Sequence, residues 1–216
     1  MAEHAERAAC ELEDASVDAI VYACTSGTFT QSPTFDRDLQ DRLSDVTGIP
    51  VVTTTTAVVA ALRCVAARSV LLATPYDESV NDLEANMLLH HGITVVERYG
   101  LGHVQPAPQP PLRRRRASPI GVEPAYASYA IAKRLHEVGS ADAIFVSCTN
   151  LRTFEVIEAL EADTGVSVVT SNQASLWAGL VLAGVVPKLP GLGALLRGDR
   201  GDGIEAIQGV HRVATA

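Results

Sequence analysis

Two cysteines stand in matching surroundings far apart in the chain. Cys24 is followed by Thr25 and Ser26, and Cys148 by Thr149 and Asn150. A thiolate is a strong nucleophile and a thiol can donate a proton. Two sulfurs facing one substrate can therefore divide the work, one attacking a carbon or removing a proton and the other supplying a proton. An ordinary cysteine has a pKa of about 8.5, and a helix N-terminus lowers it. Thr25, Ser26, Gly27, Thr149 and Asn150 add hydroxyls and amides that can bind a carboxylate at the same helix starts. A lone cysteine of this kind reads as a buried strand-end residue, because free cysteine is among the most buried residue types. Its recurrence in the same context is what argues for chemistry.

The recurrence belongs to an internal duplication. Residues 16–26, Ser-Val-Asp-Ala-Ile-Val-Tyr-Ala-Cys-Thr-Ser, return at 140–150 as Ser-Ala-Asp-Ala-Ile-Phe-Val-Ser-Cys-Thr-Asn, identical at six of eleven positions. A second echo follows in the same order. Residues 47–54, Thr-Gly-Ile-Pro-Val-Val-Thr-Thr, return at 164–171 as Thr-Gly-Val-Ser-Val-Val-Thr-Ser. Two ordered matches, at offsets of 124 and 117 residues, imply two copies of one fold.

The elements that must position the cysteines follow from hydrophobic pattern. Residues 19–23 and 143–147 are short unbroken apolar runs that end at each cysteine, as strands buried on both faces do. Helical patterns at 34–47 and 153–164 each close on a glycine, Gly48 and Gly165. Strands at 51–54 and 167–170 come next, then helices near 57–67 and 173–183. Between the copies lie a strand at 69–74, a helix at 78–91, a strand at 93–99 and a helix at 124–138. This alternation predicts an α/β fold with parallel sheets and helices on both faces. Ligands of such sheets bind beyond the carboxyl ends of the strands, where both cysteines sit. If the halves pack about a pseudo-two-fold, the two thiols face one another across the cleft. The expected halves are 1–67 with 185–216, and 68–184. By the chain's own symmetry the first half lacks its opening strand, with only a helix-sized stretch before Asp18.

Composition narrows the class. The 216 residues suffice for one large or two small domains with a real core. Lys+Arg 17 against Asp+Glu 25 leaves a formal charge of −8, which argues against nucleic acid as a partner. No apolar run reaches the ~18 residues of a membrane span, and no signal region opens the chain, so a cytoplasmic protein without a membrane partner is expected. The four cysteines show neither a disulfide framework nor zinc-ligand spacing, so reduced thiols and no metal are expected. No GxGxxG opens a helix after a strand, and Thr25-Ser26-Gly27-Thr28 lacks the leading glycine of a hydrolase nucleophile elbow. Residues 106–118, proline-rich and then Arg113–Arg116, read as a solvated surface loop, and the glycine-rich tail after Pro190 as frayed at its end. Trp177 reads as core, His90 and His91 as the close of a helix, and Asp36, Asp38 and Asp41 as a solvated helix start.

The turn Cys24-Thr-Ser-Gly-Thr, the run Thr74-Pro-Tyr-Asp-Glu, and Ser147-Cys148-Thr-Asn-Leu-Arg with Val169-Thr-Ser-Asn-Gln-Ala together resemble the Asp/Glu racemase superfamily. Within it they are similar to the branch of maleate cis-trans isomerase, arylmalonate decarboxylase and the ectoine-utilisation relatives. The resemblance implies two Rossmann-like (flavodoxin-like) halves with the active site between them, no cofactor, and a homodimer. It also implies roles. Cys24 would add to the double bond of a small dicarboxylate and Cys148 would protonate the neighbouring carbon. Tyr76 would hydrogen-bond one carboxylate, with Thr25 and Ser26 on one side and Thr149 and Asn150 on the other. Decarboxylases of the branch keep only the second cysteine, so Cys24 favours an isomerase or racemase over a decarboxylase. A two-cysteine amino-acid racemase and a dicarboxylate-binding paralogue without activity are the alternatives. Two carboxylate anchors of the family find no match: one would precede this chain, and the proline/arginine insert replaces the other. His103 reads as a surface-loop histidine.

Overall fold

A computed structural model of the chain describes residues 4–32, 34–103, 119–198 and 203–210. The order begins α1 (Ala5–Glu13), β1 (Ile20–Tyr22), α2 (Ser26–Phe29), α3 (Phe35–Thr47), β2 (Val51–Thr53) and α4 (Thr54–Cys64). It continues β3 (Ser69–Tyr76), α5 (Glu78–His90), β4 (Thr94–His103), α6 (Ala125–Val138) and β5 (Ala143–Val146). Then come α7 (Ile157–Thr164), β6 (Ser167–Thr170), α8 (Ser171–Leu182), α9 (Gly193–Arg197) and α10 (Ile204–Gln208). The α/β alternation of the sequence is borne out. The insert at 106–118 and the last residues of the tail lie outside the described residues.

Every strand pair is parallel. One sheet has the order β4-β3-β5-β6, and the other, among the described residues, is the pair β1-β2. The duplication extends to register. Ile20 lies opposite Val51 in the first sheet, and Ile144 opposite Val168 in the second, the positions that the two sequence offsets equate. The flanking helices repeat as well. α3 and α7 both end on a left-handed glycine, Gly48 at φ 68° and Gly165 at φ 71°. Thr53 and Thr170 cap α4 and α8, each side chain accepting a hydrogen bond from the backbone N–H three residues on. These caps start both helices two or three residues earlier than the apolar pattern predicts.

The four-stranded sheet sorts its side chains by the strand period of two. Val70, Leu72, Ala143, Phe145 and Val169 join a core with α4 and α8, in which Trp177 is 1% exposed. Leu71, Ala73, Ile144, Val146 and Val168 join a second core with Ile131, Leu135, Ile157 and Leu160 of α6 and α7. A helix that is apolar all round is buried. In α4 the run Ala57–Leu62 is of this kind, and the buried Thr54, Thr55 and Thr56 before it have their hydroxyls hydrogen-bonded. A smaller core of Ala5, Ala9, Ile20, Leu39 and Leu43 lies under α1 and α3.

The glycine-rich tail after Pro190 carries α9 and α10, which bury Leu195, Leu196 and Ile207 in the main core. Asp36 is not merely solvated, since it accepts hydrogen bonds from Thr53 Oγ1 and, at 2.6 Å, from Thr56 Oγ1, tying α3 to the start of α4. Among the described residues, no helix is long and apolar enough to cross a membrane.

Candidate active site

Parallel strands deliver their carboxyl ends to one side, and the two repeats bring theirs together. Cys24 stands two residues beyond β1 and is partly exposed; Cys148 stands two beyond β5 and is 7% exposed. Two hydrogen bonds stitch these ends across the halves. Thr149 Oγ1 donates to the Ala23 carbonyl at 3.1 Å. Ser171 Oγ accepts from Thr25 Oγ1 at 3.0 Å and from the Cys148 backbone N–H, also at 3.0 Å. One hydroxyl thus holds the residue after the first cysteine and the backbone of the second. The first thiol bears on the second, since a charge on Cys24 adds to the upward push on Cys148.

No helix of more than one turn starts directly at either sulfur, unlike the arrangement the sequence suggested. Only the four-residue α2 follows Cys24, and α3 begins at Phe35. Cys148 enters a tight turn in which the Leu151 N–H donates to the Cys148 carbonyl at 3.1 Å. Its φ of 92° lies in the left-handed region that side-chain-bearing residues seldom adopt. The Cys148 thiol is pushed up mainly by burial. Hydrogen bonds from the Tyr76 hydroxyl and the Asn150 backbone pull it partly back.

Tyr76 ends β3 and is 1% exposed. Its hydroxyl donates to the Cys148 sulfur and accepts from Ser26, so it joins both halves of the site. Burial foremost, then the charges of Cys148 and Glu84, hold it well above the ordinary tyrosine range, as an intact phenol. Phe29 of α2 packs edge-on to its ring at 6.4 Å between centroids.

The remaining sequence-predicted residues fall around this pair. The Thr25 hydroxyl is committed to Ser171, so what Thr25 can offer a ligand is its main chain. Thr149 is half-buried with its hydroxyl on Ala23, and Asn150 is exposed with its carboxamide against Gly121. His103 is the final residue of β4, in register with Tyr76, and its Nε2 lies 2.9 Å from Glu123 Oε1. It therefore belongs to a strand end, not to a loop. Among the described residues no group of three His, Cys, Asp or Glu side chains is placed to hold a metal ion.

Three residues near the cysteines escaped the sequence reading. Ser171 lay inside a noted motif without a role. Tyr22 places a buried hydroxyl, unpartnered among the described residues, beside Cys24; its pKa is raised by burial and then by the Cys24 charge. Glu84 is a carboxyl on the buried stripe Val80–Asn81–Glu84–Leu88 of α5. An acid in phase with a helix's apolar face was the signal for it.

One backbone contact fixes Tyr76 from behind. A Cβ on Gly100 of β4 would sit 2.2 Å from the Tyr76 carbonyl oxygen and 2.6 Å from Asn81 Nδ2. Gly100→Ala is therefore expected to destabilise the protein by about 1–3 kcal/mol, through a displaced strand end. Urea denaturation measures this, and an unchanged midpoint would remove Gly100 from the account of how Tyr76 is held.

Comparison with known proteins agrees with this architecture. The family model described as arylmalonate decarboxylase matches residues 1–108 and 119–196. The chain belongs to the arylmalonate decarboxylase family. Within it, the chain is 28% identical over 198 residues to a maleate isomerase of Pseudomonas putida, covering 89% of this chain and 75% of that protein. It is 30% identical over 174 residues to the arylmalonate decarboxylase of Bordetella bronchiseptica, covering 79% and 68%. The crystal structure of a variant of maleate isomerase Iso from Pseudomonas putida S16 with maleate superposes with a TM-score of 0.80 at 25% identity, covering 91% of this chain and 76% of that one. The gap in the family match, 109–118, falls within the proline/arginine insert.

Proposed function

We propose that this member of the arylmalonate decarboxylase family is a cofactor-independent cis-trans isomerase of a small dicarboxylate such as maleate. The observation that carries the reading is the presence of two thiols at matched strand ends, one partly exposed, the other buried and hydrogen-bonded by Tyr76. The Cys24 thiolate adds to one olefinic carbon, forming a C–S bond. The displaced π pair takes the proton of the Cys148 thiol at the adjacent carbon. The resulting thioether has a C–C single bond about which the carboxylates rotate. Cys148, now a thiolate, takes a proton back, the C–S bond breaks, and the trans diacid leaves with Cys24 restored as thiolate.

The burial of Cys148 suits its part, because a raised pKa keeps the thiol protonated near neutral pH. The Tyr76 hydroxyl then stabilises the thiolate left after donation. Ser26 and the main chains of Thr25, Thr149 and Asn150 are the proposed carboxylate contacts, with Asn150 reaching from the exposed side. The maleate isomerase relatives support the substrate class.

A proton NMR time course with maleate in deuterated buffer tests the reading, with growth of the fumarate signal as the expected result. Absence of turnover at millimolar substrate would overturn it. Decarboxylation of an arylmalonate is the second reading, favoured by the match to the Bordetella enzyme. Release of carbon dioxide from phenylmalonate without maleate turnover would establish it.

A further inference from the structure

Glu84 is a carboxyl for which the mechanism above has no use. It is 0% exposed, on the face of α5 that packs toward the strand ends. Oε1 accepts from Ser147 Oγ at 2.5 Å, while Oε2 has no hydrogen-bond partner among the described residues. A carboxylate so placed would be costly, so the group is held as the neutral acid. Burial pushes it up to about 8, against the pull of the Ser147 hydrogen bond.

Its partner explains why the position matters. Ser147 immediately precedes Cys148, whose backbone is held at a φ of 92°. Besides the Leu151 N–H bond to the Cys148 carbonyl, three hydrogen bonds hold that turn. The Ser147 N–H donates to the Ala73 carbonyl at 2.8 Å, the Cys148 N–H to Ser171 Oγ, and Ser147 Oγ to Glu84. Of these three, only the last comes from α5.

The groups around Glu84 are few. Tyr76 from β3 and Cys148 beyond β5 both sense its charge, and Cys24 bears on Cys148 in turn. α2, packed against α5, carries no charged residue. From β4, Arg98 pairs with Glu78 and Asp82 on the exposed side of α5.

We propose that Glu84 is a positioning residue for Cys148: as an uncharged acid it anchors Ser147, and with it the left-handed turn that aims the Cys148 sulfur, without placing a negative charge behind that sulfur. The role in turnover rests on the isomerase reading; the effect on the thiol does not. When Glu84 ionises, a carboxylate faces Tyr76 and Cys148 and makes the thiolate form of Cys148 harder to reach. Ionised, Glu84 therefore keeps Cys148 in its thiol form to higher pH, and the alkaline limb of turnover moves up with it.

Glu84→Gln keeps an oxygen for Ser147 and removes the ionisation. It is expected to hold kcat at neutral pH within roughly threefold and to move the alkaline limb to lower pH, because the Cys148 thiol then loses its proton sooner. Glu84→Ala and Ser147→Ala both remove the anchor, and are expected to lower kcat about tenfold with little change in KM. The independent readout is the rate of Cys148 alkylation by iodoacetamide against pH, followed by peptide mass spectrometry. Its midpoint should shift to lower pH in Glu84→Gln, because the opposing negative charge is gone.

If Glu84→Ala does not fold, Glu84→Gln and Ser147→Ala still decide the matter. Wild-type alkylation profiles in both of them would overturn the proposal. A shifted profile in a protein that leaves maleate untouched would retain the positioning role and discard the isomerase.

Discussion

Cys24→Ala and Cys148→Ala are each expected to lower maleate turnover by at least about 10³-fold, into the range that loss of a nucleophile or general acid produces. The two losses should differ in kind. Without Cys24 no carbon–sulfur bond can form, so mass spectrometry of the protein incubated with maleate should show no adduct. Without Cys148 the adjacent carbon loses the proton donor assigned to it, and the thioether forms slowly. The double variant should be no slower than the slower single variant, because the two groups act in one step. Turnover within tenfold of wild type in either single variant would remove that thiol from the mechanism.

The pH profile adds a direction. Burial raises Cys148, so the wild-type rate should persist beyond neutrality and fall only as this thiol loses its proton. Tyr76→Phe removes a hydrogen bond that favours the thiolate, so the alkaline limb should move to higher pH while kcat drops.

Ser171→Ala carries the second large effect, and it acts on stability and rate together. The lost oxygen is the acceptor for two buried donors, Thr25 Oγ1 and the Cys148 N–H. An unsatisfied buried donor costs about 1–3 kcal/mol, so a loss of about 2–4 kcal/mol is expected by denaturation. The same change frees the two strand ends from each other. A misplacement of the reacting groups by about 1 Å can cost on the order of 10²-fold in rate, and kcat should fall accordingly. Thr25→Ala removes one of the two donors with its own side chain, so in the Ser171→Ala background it should cost little more. Full additivity of the two substitutions would show that their hydroxyls do not act through each other.

Most of the scaffold was legible because it is periodic and repeated. The strand at Ala143–Val146 is an unbroken apolar run, Ser167–Thr170 echoes the segment that ends the first repeat, and the glycines closing α3 and α7 mark their ends without tertiary information. Both cysteines could be located because their neighbours recur in sequence, and Tyr76 because the run Thr74-Pro-Tyr-Asp-Glu resembles the family's. Ser171 could not be assigned, because its meaning lies in a contact 146 residues away with Thr25. Asp36 misled for a similar reason: its partners Thr53 and Thr56 come from the next strand and helix. The helices α9 and α10 hid behind glycines, since local propensity says nothing of the core that awaits Leu195 and Ile207.

The equal registers of β1-β2 and β5-β6 set the two sulfurs on interchangeable mounts, yet β3 and α5 furnish only one of them with a tyrosine donor and a buried acid. A balanced pair of thiols would relay a proton from either face of a carbon with equal ease, which is what mirror-image interconversion demands. On the proposed mechanism the handedness of the reagent is broken by construction: one sulfur attacks, and the other, buried beside Tyr76, arrives with its proton. A gene-doubled cradle with lopsided furnishings suits a substrate whose two ends are alike and whose adjacent carbons must be treated differently for a moment, then made alike again.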